Sequence, residues 1–197
     1  MKARNAAIYM FLAILAVPVT SNAQEYDFAV HSKFVNITFE SRMDVEDIIG
    51  TSNSITGVLS LKGDSGKFKL AVPVDTLKTG IAMRDDHIRS EHWLNSAKYP
   101  NISFSGASVT DQGEGKYEVA GKFIIKGVEK ATAVQVQTRK IPASLAKKLN
   151  MGEGSWLRVR AEFKVKLSDY GVKIPDMAAA KVNDEWTVKV SLFAKEK

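Results

Sequence analysis

Hydrophobic alternation with a period of two constrains this chain more than any other feature of its sequence. Between Ser155 and Leu167, the residues Leu157, Val159, Ala161, Phe163, Val165 and Leu167 share one face, while Arg158, Arg160, Glu162, Lys164 and Lys166 share the other. Successive side chains of an extended chain point to opposite sides, so this segment reads as a strand with one dry and one wet face. The split recurs with Phe68, Leu70, Val72 and Val74 against Lys67 and Lys69, and with Tyr117, Val119, Phe123 and Ile125 against Lys116, Glu118, Lys122 and Lys126. It returns with Trp186, Val188, Val190 and Leu192 against Thr187, Lys189 and Ser191. Val35-Ile37-Phe39, Ile55 to Leu61, Ile102 to Val109 and Ala131 to Arg139 bring the total to about eight strands, several of them about ten residues long.

The punctuation makes neighbours antiparallel. Lys62 to Gly66, Asp111 to Gly115 and Lys126 to Glu129 are short connections that contain glycine and lie between alternating runs, as hairpin loops do. Two helices interrupt the strand rhythm. In the first, Asp85 or Asp86 caps the start, Trp93, Leu94 and Ala97 cluster on one face, and Lys98 and Pro100 close it. The second runs from Pro142 to Asn150, with Leu145 and Leu149 four apart, lysines late and Gly152 past its end, and is expected to form a lid or bottom cap.

The N-terminus carries Lys2 and Arg4, an apolar run from Ala6 to Val17, then Pro18 and Ser21-Asn22-Ala23. This is the pattern of a cleaved secretory signal, and the run is shorter than the ~20 apolar residues that cross a bilayer. Residues 1–23 are therefore expected to be removed, leaving one domain over 24–197 with no membrane span. Losing Lys2 and Arg4 takes the formal charge from +6 to +4. The chain has no cysteine, which excludes disulfides, thiolate metal sites, a cysteine nucleophile and a lipidated cysteine. The lysines alternate outward on separate strands without interleaved exposed aromatics, a solvated face and not a nucleic-acid surface.

Eight antiparallel strands with one apolar face can close into an up-and-down barrel or pack as two sheets. The even strand lengths and inserted helices favour the barrel. An eight-stranded barrel either fills with side chains or holds one small ligand, and strands this long tilted near 40° would make a tube about 25 Å deep. The sequence lacks a Gly-x-Ser-x-Gly elbow, a phosphate-cradling glycine loop, a His-Glu-x-x-His pair and an acidic calcium loop, so no catalytic or cofactor motif is found. His87 and His92 are five apart and point to different helix faces, which argues against a metal site.

The stretch from Val72 to Phe104 carries a family likeness. It contains Val74-Asp75, Thr79-Gly80, Met83-Arg84-Asp85, His87-Ile88-Arg89-Ser90, Leu94, Lys98-Tyr99-Pro100 and Ile102-Ser103-Phe104. Together with His31-Ser32, Ile49-Gly50, Gly57, Lys126-Gly127-Val128 and Leu167 to Val172, it resembles the YceI-like lipid and polyisoprenoid-binding proteins of bacteria. Lys62, the long Ile141 to Gly154 connection and the Lys173 to Glu185 segment depart from the family pattern.

The resemblance implies an all-β, lipocalin-like eight-stranded antiparallel barrel that sequesters a polyisoprenoid or other long amphiphile, in the periplasm or outside the cell, for transport, storage or stress protection. Phe68, Leu70, Val72, Ile102, Phe104, Tyr117, Phe123, Leu157, Phe163, Trp186, Val188 and Leu192 are then the candidates to line the lumen. Arg84, Asp85, His87 and Arg89 are candidates for a polar head group, against a plainer use as helix cap and ion pairs. Two alternatives stand beside this reading: a lipid-processing enzyme with His87 as acid or base, and a structural envelope protein with a filled core. A homodimer is left open.

Overall fold

Ten strands carry the alternation in the computed structural model, which describes residues 23–28, 32–62 and 65–197. They are β1 (Gln24–Asp27), β2 (Val35–Arg42), β3 (Asp47–Ser52), β4 (Thr56–Lys62), β5 (Ser65–Pro73), β6 (Asn101–Asp111), β7 (Lys116–Ile125), β8 (Val128–Ile141), β9 (Trp156–Lys166) and β10 (Glu185–Glu196). From β4 to β10 each strand pairs antiparallel with the next in sequence. The first strands close the ring. β2 lies on β10 from Glu40↔Thr187 to Val35↔Leu192, and β1 continues along it with Asp27↔Lys195 and Tyr26↔Glu196. On their other side β2 pairs with β3, and β1 with β4.

β1 and β2 therefore share one place in the wall, as do β3 and β4. The result is a closed, eight-position, up-and-down barrel in which, among the described residues, no long sheet edge is left unpaired. Tight turns make this possible. Between β7 and β8, Lys126 and Gly127 both have positive φ, 50° and 77°, the geometry of a two-residue hairpin turn whose twist matches the flanking strands. A register shift between Ser105 and Ser108 in β6 lets Ile102, Phe104, Val109 and Asp111 all face the interior despite their mixed parity.

One end of the barrel carries the long connections at 74–100 and 167–184, and the other carries the loops at 111–116 and 142–155. The first connection contains α1 (Ala82–Arg89), and the expected capping is corrected there. Ile81 is the N-cap, without a side-chain cap, and Asp85 sits inside the helix. Its carboxylate is occupied elsewhere: Oδ1 accepts the amide and the hydroxyl of Thr79, each at 2.7 Å, which ties the preceding loop down. The helix also ends earlier than expected. Trp93 and Leu94 reach the core through turns, with Leu94 N–H on the Ile88 carbonyl at 3.1 Å.

The second helix, α2 (Ala143–Lys148), is not the lid or bottom cap expected from its position. Its buried Ala146 packs with Ile141, Met151, Trp156, Phe34 and Phe193, none of which lines the interior cavity. Ile141, Trp156 and Phe193 point out of the barrel, so α2 braces the outer wall. Residues 1–22 of the expected leader, and His31, lie outside the described residues.

Candidate functional site

The inward faces do not meet across the barrel. They enclose a cavity of about 1230 Å³ lined by residues from both ends of the barrel, larger than the ~300–1,000 Å³ of ordinary small-molecule pockets. All twelve lumen candidates that the resemblance implied, from Phe68 in β5 to Leu192 in β10, line it. So do Tyr26, Ile37, Phe39 and Ile48 from the first strands, and Val134, Val136 and Val190 from later ones.

Aromatic rings give the wall its shape. Phe68 and Phe104 lie 4.8 Å apart by ring centroid, Phe104 and Phe123 meet edge-on at 5.9 Å, and Phe123 and Phe163 meet edge-on at 5.8 Å. These separations and angles are those that aromatic quadrupoles favour. The Phe68 ring fits because Gly106 and Gly121 have no side chains. A Cβ on Gly106 would sit 2.6 Å from the Ala120 carbonyl and 2.9 Å from Phe68 Cζ, and one on Gly121 would sit 2.5 Å from the Ser105 carbonyl and 2.8 Å from Phe68 Cζ.

Polar groups in the lining gather at the ends. Glu46, Arg84, His87 and Lys181 stand at the α1 end, and Gln24, Asp111, Thr138 and Lys140 at the other. At the α1 end three apolar side chains both line the cavity and face solvent: Ile81 at 52% exposure, Met83 at 70% and Met177 at 89%. That end is a mouth with an apolar rim, whereas the exposed lining residues of the other end, Gln24, Asp111 and Lys140, are polar. Just inside, Trp186 packs against Phe39 at 5.7 Å. Its indole Nε1–H is buried with no hydrogen-bond partner, an uncommon state for a strong donor.

The charged cluster on α1 divides. Arg84 lines the mouth and is held by three hydrogen bonds, from Nη1 to Glu46 at 2.8 Å, from Nε to the Thr79 hydroxyl at 3.0 Å and from Nη2 to the Thr79 carbonyl at 3.2 Å. His87 also lines the mouth, whereas Asp85 and Arg89 do not. Asp85 is buried at 5% exposure. Burial pushes its carboxyl up, but the Thr79 hydroxyl and amide, with Lys78 and Arg89 nearby, outweigh this and hold it below the usual range. Arg89 pairs with Asp86 at 2.7 Å. Deeper in the barrel, burial raises the Tyr26 phenol, helped by Glu196 and Tyr117, and burial with Asp111 raises Tyr117. Among the described residues no group of three or more His, Cys, Asp or Glu is placed to hold a metal ion, and no helix is long and apolar enough to cross a membrane.

The sequence model of the YceI-like domain matches residues 21–194, which takes in β1 to β9 whole and β10 as far as Ala194. The chain belongs to the YceI-like family. A UPF0312 protein of Shewanella sp. (strain ANA-3) is 31% identical over 179 residues, 87% of this chain and 88% of that protein. Among solved structures, BcnA of Burkholderia cenocepacia superposes with a TM-score of 0.71 at 19% identity, over 84% of this chain and 99% of that one. A polyisoprenoid binding domain from Saccharophagus degradans, implicated in plant cell wall breakdown, superposes with a TM-score of 0.61 at 16% identity, over 88% and 98%. At these identities the two structures show the shared fold.

Several residues of this YceI-like cavity escape a reading of the sequence. Ile81, Met83, Met177, Lys181 and Glu46 sit in connections where no period exists to betray an inward side chain. Ile81 and Met83 do flank the charged α1 motif, and two large apolar residues beside Gly80 in an otherwise polar loop were the signal available.

Proposed function

We propose that this YceI-like protein is a carrier that buries a long apolar chain, a polyisoprenoid or acyl amphiphile, along the barrel lumen with its polar end at the α1 mouth. The observation that carries this reading is the cavity of about 1230 Å³ whose wall is apolar everywhere except near its ends. Burying a chain there is worth about 0.8 kcal/mol per CH₂. The polyisoprenoid binding domain from Saccharophagus degradans, with the same fold, supports the ligand class. At the mouth, Arg84, His87 and Lys181 are the donors nearest a head group.

A binding protein fits better than an enzyme, because Arg84 and Asp85 are engaged in holding the loop at Thr79. The leader reading of residues 1–23 supports export, and a periplasmic or secreted location follows from it. Purification of the exported chain without detergent, followed by native and then denaturing mass spectrometry, tests the carrier. An isoprenoid or fatty mass released on denaturation is expected. A chain that stays free of lipid, and takes up neither a polyprenol nor a fatty acid when mixed with them, overturns it. Turnover of a bound lipid that disappears in His87→Ala while binding persists would move the protein among enzymes.

A further inference from the structure

On the outside of the barrel, away from the lumen, three arginines stand together. Arg139 of β8 and Arg158 of β9 are direct cross-strand partners, and Arg160 lies two residues along β9 on the same outward face, opposite Gln137. Like charges directly opposite in an antiparallel pair destabilise it. Several other outward cations of this barrel are compensated: Lys164 pairs with Glu185 at 2.6 Å, Lys122 with Glu129 at 2.8 Å and Lys189 with Glu40 at 3.0 Å. Among the described residues no ion pair reaches Arg139, Arg158 or Arg160.

The surroundings favour an anion. Arg158 and Arg160 line a shallow depression whose other polar members include Asn36, Gln137, Ser191 and Lys116, with Glu162 its single carboxylate. Arg158 is placed for it in advance. Its guanidinium lies over the Phe193 ring at 5.4 Å, and Phe193 is wedged against Phe34 at 5.8 Å, so the side chain is half fixed before any ligand arrives. Its Nε–H is buried and has no partner. Burial first, and then Arg160 and Arg139, make the extra charge costly there.

We propose that Arg139, Arg158 and Arg160 form a phosphate-type oxyanion site on the outer wall. Arginine forks bind such oxygens bidentately, and three of them on adjoining positions with no ion pair among the described residues form a charge cluster that an anion relieves. The oxyanion is either a soluble phosphate or the phosphodiester of a lipid head group, and both present the same oxygens. The site stands on the outward face and is independent of the carrier reading.

The experiment uses the whole protein with inorganic pyrophosphate as probe, against chloride at matched ionic strength, and vesicles of phosphatidylcholine with or without phosphatidylglycerol. Wild type is expected to melt higher in pyrophosphate than in chloride. Arg139→Gln and Arg160→Gln, both at exposed positions, are expected to melt higher than wild type in chloride, because the repulsion is relieved, and to lose the pyrophosphate shift. Each should weaken binding about tenfold, the loss of one charge-assisted hydrogen bond. Arg158→Lys, which keeps the charge and loses the fork, should lose the shift as well. Pyrophosphate binding without vesicle binding assigns a soluble phosphate. Vesicle binding that needs phosphatidylglycerol, is competed by pyrophosphate and is lost in the variants assigns a head group. Equal melting in pyrophosphate and chloride, or variants that bind either probe as wild type does, overturns the site.

Discussion

Arg84 in α1 donates to Glu46, in the turn between β2 and β3, at 2.8 Å, and both side chains line the mouth of the lumen. The pair joins two neighbouring parts of the rim: one partner belongs to the connection after β5, the other to the first hairpin of the barrel. Thr79 completes the arrangement, because its hydroxyl accepts from Arg84 Nε and donates to Asp85. The mouth is thus set by a short polar chain laid over an apolar tube.

Breaking the Arg84 to Glu46 pair should change exchange at the mouth more than it changes the fold. Both groups are partly solvated, at 21% and 36% side-chain exposure, and such pairs contribute about 0.2–1 kcal/mol. Glu46→Gln is therefore expected to melt within a few degrees of wild type and to release a bound apolar fluorophore faster. Stopped-flow dissociation measures this, and an unchanged release rate would show that the pair does not gate the lumen.

The notch under Phe68 should be intolerant of side chains. Gly121→Val places a branched Cβ where the Ser105 carbonyl and the Phe68 ring already are, and overpacking of this kind costs about 1–3 kcal/mol. A smaller neighbour should return part of the loss, so Gly121→Val with Phe68→Leu is expected to be more stable than the sum of the two single changes. Urea midpoints of the four proteins give the coupling directly, and strict additivity would count against the packing described here.

The barrel was legible because its wall repeats. A period of two over β5, β7, β9 and β10 fixes which side chains face inward, and closure makes every inward residue part of one cavity. Where inward residues are not apolar the pattern fails. β3 hides Ile48, Gly50 and Ser52 and exposes Ile49, so half of its alternation runs against hydrophobicity. Ser52 tolerates burial because its hydroxyl meets that of Thr76 at 2.8 Å, a partner far along the chain. α2 was misplaced for a related reason: its apolar side says that it packs, and only the outward turn of Trp156 and Phe193 says on which side of the wall. The mouth depends on connections whose side chains answer to tertiary contacts alone.

Acid should weaken the α1 loop through Asp85. Its carboxyl lies below the usual value in the folded chain, so the charged form stabilises the fold above the unfolded value of about 3.9. That contribution is lost as pH falls through the lower folded value. Asp85→Asn should cost about 1–3 kcal/mol at neutral pH, the loss of charge-assisted bonds to Thr79, and the gap from wild type should close below about pH 4. Denaturant unfolding of both proteins from pH 7 to pH 2 measures it. A gap that persists undiminished at the acid end would assign Asp85 another role.

Filling the lumen should abolish capacity without harming the barrel. Ala161 lies between Val136 and Val190 of the flanking strands, and all three line the cavity. Ala161→Trp puts a large ring into that space and is expected to keep or raise the melting temperature while weakening uptake of a polyprenol or fatty acid about tenfold or more, the loss of two or more buried methylenes. If uptake is unchanged, the ligand does not pass this level of the tube.

The indole of Trp186 makes the most specific demand on the ligand. Its Nε1–H is buried without a partner and its ring lines the lumen just inside the mouth, where a buried donor left unmatched is costly. A ligand that carries an oxygen acceptor at that depth satisfies it once the ring turns to present the N–H, and a plain hydrocarbon does not. Trp186→Phe retains an aromatic ring beside Phe39 and removes only the donor and part of the area. It is therefore expected to weaken binding of a long-chain alcohol or ester by about 0.5–1.5 kcal/mol more than binding of an alkane of equal length. Competition titrations with such a matched pair of ligands read that difference. Equal losses for both would mean that Trp186 contributes area alone, and that the polar end of the cargo sits further out, among Arg84, His87 and Lys181.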